Sequence, residues 1–261
     1  MEGECGQSLV PGNSAVAGAR ARGAGGGAGL CRPDESWAPY WIVDGERISG
    51  ILHDFMIALD ARLPDDLQAS HPLPPLRTQK LFREGQVQIE CCVSQSWRRA
   101  AGQAEVSLWS IPVLDAEEML LFAPGKGFPF RHLEDLRGRS IATVRGYGYV
   151  GSEYFQRNDG ADAHALIFRV AQGHSEAGIL DRLEWRYLRS RDPQLQAPSW
   201  QVEEGAVINR SQLRLRLHRD HAGHLAAINE AIRALQEDGT LARIVAEYAP
   251  QAHVAGQGEI R

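Results

Sequence analysis

The chain has 261 residues, is 43% apolar and carries a net charge of −5. That size and composition allow a buried core in one large or two small domains, and they exclude wholesale disorder. Scattered basic residues on an acidic chain leave no electrostatic footprint for nucleic acid, and no apolar run approaches the roughly 18–20 residues of a membrane span.

Residues 1–29 are rich in glycine and alanine and show no periodicity. An export leader needs a basic start, an apolar stretch of roughly 7–15 residues and a small-residue cleavage site. Residues 14–29 supply small residues, with Arg20 and Arg22, but no apolar stretch. The segment reads as a degenerate leader, a wrongly chosen start or a disordered tail, and it is set apart from the fold. Residues 251–261 read as a second tail.

Order begins at Leu30. Over 51–63, Leu52, Phe55, Met56, Leu59 and Leu63 recur every three or four residues, which predicts one face of an amphipathic helix ended by Pro64. Residues 81–85 read as a helix end with a glycine cap, and 87–93 as a short apolar strand. Helix, glycine, strand is the rhythm of α/β layering. Further strands are expected at 118–122 and 140–144, a helical turn at 133–138, a glycine-rich turn at 146–151 and a helix beginning at 152–155. Residues 165–170 read as the next strand. A buried strand follows at 177–180, then a loop at 192–199 punctuated by Pro193 and Pro198. Residues 207–208 and 213–217 read as separate strands. In the second, Leu213, Leu215 and Leu217 alternate with Arg214 and Arg216, which predicts one buried face and one wet face. The clearest helices come last. Leu225, Ile228, Ile232 and Leu235 form one stripe, Leu241, Ile244, Val245 and Tyr248 another, with Asp238-Gly239-Thr240 as cap and start between them.

Three features bear on chemistry. Of four cysteines, Cys91 and Cys92 are adjacent in a strand-like run, so their side chains are expected on opposite faces. One of them can reach Cys31 if the strands are neighbours; buried free thiols are the alternative. His218, His221 and His224 recur every three residues without a nearby acid or cysteine, so a solvated face is favoured over a metal site. Residues 146–151 spell GxGxxG, but the run 165–170 has no acid at its tip, which argues against a dinucleotide site.

Several segments together resemble the family 3 extracellular solute-binding proteins, the receptors of polar amino-acid ABC importers. They are CRPDESWAPYW at 31–41, GILHDFMIAL at 50–59, LFREGQVQI at 81–89, Asp135-Leu136-Arg137-Gly138-Arg139 with 141–146, and the pattern over 228–248. The resemblance spans roughly residues 30–250. It implies an α/β fold, the two-lobed periplasmic binding protein type II fold with two hinge crossings. Lobe 1 would take 30–120 plus 209–250, and lobe 2 would take 121–208. Hinged lobes close on a ligand and exclude water.

The resemblance also implies a site. Arg98, with Arg99 as fallback, stands where the family grips a ligand carboxylate, a task that suits the guanidinium fork; an exposed arginine is the plain alternative. Asp181 stands where a second acid meets the ligand's ammonium, although an aspartate there also suits a helix N-cap. Glu176 reads as structural. Trp37, Tyr40 and Trp41 offer aromatic walls or core packing, with Trp37 the preferred wall. Ser94 and Ser96 can add hydroxyl bonds. Tyr147 and Tyr149 lie on a turn that would face the ligand, with the following helix start attracting a carboxylate. The expected role is capture of an amino acid or similar small polar ligand for an ABC permease of the inner membrane. The chain would act as a periplasmic monomer, with no cofactor, metal or nucleic acid. Two rivals are a cyclohexadienyl dehydratase-like enzyme, with Glu153 or Glu176 as acid, and a ligand sensor without a permease.

Overall fold

A computed structural model of the chain describes residues 29–33, 36–65 and 67–248. The expectations for the leader and the C-terminal tail lie outside these residues, as does the Cys31 side chain. The elements run β1 (Gly29–Pro33), β2 (Ile42–Asp44), β3 (Arg47–Ser49), α1 (Ile51–Asp60), β4 (Gln68–Leu73), α2 (Pro75–Arg83), β5 (Ile89–Ser94), α3 (Ala101–Ala104), β6 (Ser107–Trp109) and β7 (Leu114–Phe122). They continue with β8 (Ser140–Val144), β9 (Gln156–Gly160), α4 (Ala163–Ala171), β10 (Ala177–Asp181), α5 (Arg182–Arg191), β11 (Glu203–His218), α6 (Leu225–Glu237) and α7 (Thr240–Tyr248).

Local chemistry sets these boundaries. Helix α1 starts after Gly50, whose φ is +114° and whose missing Cβ would stand 2.6 Å from the Tyr40 carbonyl oxygen. Only glycine meets both demands. Helix α4 is capped by Asp162, which accepts the Ala165 N–H at 2.8 Å. The α6–α7 junction closes as expected, with the Asp238 carboxylate accepting the Thr240 N–H at 2.9 Å.

One sheet runs through the molecule in the order β4-β1-β5-β11-β7-β10-β8-β9, with β6 also paired to β11 and β2–β3 forming a separate hairpin. Its middle is the long antiparallel pair β7–β11, registered from Glu203 opposite Phe122 to Leu213 opposite Leu114. On either side of that pair the chain builds its own parallel strands and its own core. One core gathers Leu52, Phe55, Leu59, Ile89, Leu213, Leu217 and Ile232. At the other end, β7 alternates across the sheet: Met119 and Leu121 meet Leu166, Val170 and Trp185, while Leu120 and Phe122 meet Leu136, Ile141 and Ile179. Each fully buried aliphatic or aromatic side chain contributes about 1.5–3 kcal/mol of transfer free energy.

Several expectations need correction. Residues 152–155 start no helix. Gly151 sits at φ +76°, Tyr154 turns back to the Gly151 carbonyl at 2.9 Å, and the polar run after it pairs with β8 as the edge strand β9. Residues 165–170 lie in α4, not in a strand: Leu166, Ile167 and Val170 are buried on one helical face. The expected strands 207–208 and 213–217 are one element, β11. Arg216 is not on a wet face; it is fully buried. His218 is likewise buried, edge-on to Phe82 at 5.6 Å between centroids. Among the described residues no group of three or more His, Cys, Asp or Glu is placed to hold a metal ion. Cys91 and Cys92 do not point apart. Their shared peptide bond is cis and their sulfurs are bonded to each other, whereas opposite faces require the ordinary trans strand.

Candidate functional site

The two halves face each other across a cleft that encloses a cavity of about 130 Å³. That is smaller than the roughly 300–1,000 Å³ of drug-sized sites, so a small molecule fits and a peptide does not. From one half come Trp37 and Trp41, the β5 residues Glu90 to Val93 including the Cys91–Cys92 disulfide, and Trp97 and Arg98 from the turn after β5. From the other come Tyr147 to Tyr149 after β8, Ile179 to Asp181 at the end of β10, and Glu184 on α5. Glu118 enters from β7, where the strands cross. The halves touch: Gln79 Nε2 donates to the Gly146 carbonyl at 3.2 Å, and a Cβ on Gly148 would lie 2.6 Å from the Trp97 carbonyl oxygen.

Asp181 ends β10 and caps α5, so the binding and capping readings describe one residue. Its Oδ1 accepts the Glu184 N–H at 2.9 Å and the Tyr40 hydroxyl at 3.1 Å. Its Oδ2 is buried without a hydrogen-bond partner among the described residues. Burial pushes its carboxyl up to about 6, against the opposing pull of the Glu184 N–H and the Tyr40 hydroxyl. Glu118 is buried too. Its Oε2 accepts Trp97 Nε1 at 3.1 Å and Asn209 Nδ2 at 2.6 Å. Burial raises it to about 7, the two donors oppose the rise, and the Asp181 charge adds to it.

Arg98 lines the cleft, but its guanidinium is engaged. Nε and Nη2 donate to the two Glu90 oxygens at 3.2 and 2.5 Å, and Nη1 donates to the Trp97 carbonyl at 3.3 Å. Behind Glu90, outside the cleft, fully buried Arg216 donates to the same carboxylate at 2.9 Å and lies over the Phe82 ring at 3.8 Å. Burial alone would raise the Glu90 carboxyl; the Arg98 guanidinium, then Arg216, overcome it and hold it below its ordinary value.

The remaining expected residues divide. Trp37 lines the cleft, stacked on Tyr40 at 4.1 Å and edge-on to Trp97 at 5.8 Å. Tyr40 is buried beneath it and reaches the site only through its bond to Asp181. Tyr147 and Tyr149 both line the cleft, and the Tyr149 hydroxyl accepts the Val144 N–H at 2.9 Å. No helix start stands behind this turn, so its expected pull on a carboxylate is absent. Ser94 and Ser96 bond to each other at 2.8 Å and stay out of the cleft. Ser96 and Arg99 open instead on a surface depression beside Glu153 and Arg157. Glu176 pairs with Arg139 at 2.7 Å near the surface. Glu90, Trp97, Glu118 and Glu184 were not singled out from sequence. A lone acid inside an apolar strand, as in Ile89-Glu90-Cys91 or Glu118-Met119-Leu120, is the signal that could have found two of them.

This architecture is the two-lobed fold of the periplasmic solute-binding proteins. No protein-family model and no curated protein matches the chain, but solved structures do. A histidine kinase sensor domain with similarity to periplasmic binding proteins superposes with a TM-score of 0.69 at 17% identity, over 88% of this chain and 97% of that one. The GluR0 ligand-binding core in complex with L-glutamate gives 0.68 at 17%, over 87% and 100%. The amino-acid ABC transporter substrate-binding protein AbpA from Streptococcus pneumoniae, bound to L-arginine, gives 0.61 at 15%, over 85% and 93%. At these identities the likeness shows the fold.

Proposed function

We propose that this chain is a ligand receptor, closing its two lobes on a small polar molecule without converting it. The lobes of the proposal are 30–120 plus 209–250 and 121–208, hinged on β7 and β11. The observation that carries the reading is Asp181, which lines the cleft with a buried Oδ2 that has no hydrogen-bond partner among the described residues, because a buried acceptor left unmade costs about 1–3 kcal/mol unless a ligand satisfies it. Trp37 and Tyr147 would enclose the ligand's stem. The acids considered for lyase chemistry, Glu153 and Glu176, do not line the cleft.

The relatives' names span import and sensing. Delivery to an ABC permease from the periplasm, by a monomer, is the finer form of the proposal; signalling to an attached kinase uses the same closure. Recovery of the full chain with a permease or with a kinase separates the two. The receptor reading itself is tested by thermal unfolding against small amines, amino acids and dicarboxylates. A ligand at 100 times its Kd adds about 2.7 kcal/mol. A Tm rise that Asp181→Ala removes supports the reading; a well-folded sample that no compound stabilises refutes it.

A further inference from the structure

We infer that the cleft selects a small alkylammonium ion, an N–H-bearing organic cation with a short apolar stem and no need of a carboxylate. This rests on the receptor reading and names its ligand class. Among the described residues, Glu118, Asp181 and Glu184 line the cavity beside the Glu90–Arg98 pair, and Arg98 is the one lining cation. That cation is already balanced. Glu90 takes its Nε and Nη2, the paired donors a ligand carboxylate would use, and an anion arriving there meets the Glu90 charge beside it. The second positive charge, Arg216, is turned away toward Glu90, Gln103 and Phe82.

On the acidic side the site lacks a donor. Asp181 lines the cavity, and its buried Oδ2 has no hydrogen-bond partner among the described residues, so the group it calls for is an N–H or O–H. A neutral hydroxyl would supply the bond alone; an ammonium supplies the bond and a positive charge beside Asp181. The walls fit such an ion. Trp37, Trp97 and Tyr147 line the same cavity, and aromatic faces attract a cation and pack its methylene stem.

Titration calorimetry and thermal unfolding of the full chain test this with n-butylammonium, 1,4-diaminobutane, choline, L-alanine, L-glutamate and succinate. The expected result is binding of n-butylammonium or 1,4-diaminobutane at least tenfold tighter than choline, which has no N–H, or than any carboxylate-bearing probe. Asp181→Asn, which keeps the α5 cap, should weaken the amine at least tenfold. Glu118→Gln should also weaken it and serves where the first variant does not fold. An amino acid that binds tighter than the amines overturns the inference and leaves the receptor reading standing. So does an amine whose affinity neither variant changes. Failure of every probe, on a folded sample, overturns both.

Discussion

Glu90→Gln isolates the buried charge cluster that occupies Arg98 in the cleft wall. The Glu90 and Arg98 side chains are 9% and 7% exposed, and Arg216 is 0% exposed. Glutamine keeps the shape but not the charge, and its single carbonyl oxygen cannot serve the three guanidinium contacts that Glu90 accepts. Two cations are then left in low dielectric beside each other. Removing one partner of a buried pair costs about 3–5 kcal/mol. For a folded unit of this size each kcal/mol moves Tm by about 2–4 °C, so the loss should read as roughly 6–20 °C. Urea denaturation at pH 7.5 gives the free energy, and calorimetry gives the Tm. The acid side supplies a control. The Glu90 carboxyl is held low in the folded state, so its contribution is present above the unfolded pKa of about 4.3 and is lost as pH falls through the folded value. The gap between parent and variant should therefore narrow at low pH. A loss below about 1 kcal/mol, or a gap independent of pH, would mean the triad is solvated and the charge argument for the cleft is wrong.

Glu118→Gln has the opposite sign. Burial raises Glu118 to about 7 beside Asp181, Trp97 and Asn209, so the folded state holds its proton where the unfolded chain has released it. The parent loses stability as pH rises from about 4.3 toward 7. The variant should melt higher than the parent at pH 8 and equal to it at pH 4; equal melting at both would show Glu118 to be hydrated. Gly148→Val places a Cβ where the Trp97 carbonyl oxygen stands 2.6 Å away, so the lobes cannot close as seen. Its solution scattering should show a larger radius of gyration, and any ligand-driven Tm rise should vanish while the unliganded Tm barely moves. Leu166→Ala removes a fully buried side chain of the second core and should cost about 2–5 kcal/mol in urea denaturation, with a smaller loss indicating that α4 resettles on β10.

Elements that bury a whole stripe were legible. Helices α1, α6 and α7 announce themselves at three- and four-residue spacing because one face of each lies on the first core. The misses share a cause. Strand β9, Gln-Arg-Asn-Asp-Gly, lies at the sheet edge, where its polar side chains meet water and leave no apolar alternation. Strand β11 reads as two pieces because Asn209 to Gln212 cross between the two cores, a stretch of half-buried and exposed residues. A strand that links cores is held by its ladder to β7, and a backbone ladder writes no signal into side-chain hydropathy. The apolar run in α4 was ambiguous between periods until Asp162 is recognised as its cap.

The site was legible as residue types and illegible as pairs. Arg98, Asp181, Trp37, Tyr147 and Tyr149 all reach the cleft, because each sits at a strand end or in the turn after one, where an α/β sheet places its ligand. What no spacing reveals is that Glu90, eight residues before Arg98, turns back onto it, or that Arg216, 126 residues further along, closes the cluster from behind. Strand alternation assigned Arg216 to water, because periodicity knows faces and not what covers them. The consequence reaches function. An arginine read alone is a carboxylate clamp; the same arginine with a buried glutamate across its fork is a neutralised wall. With that wall occupied, the proposed ligand contact shifts to Asp181, whose buried Oδ2 has no partner among the described residues.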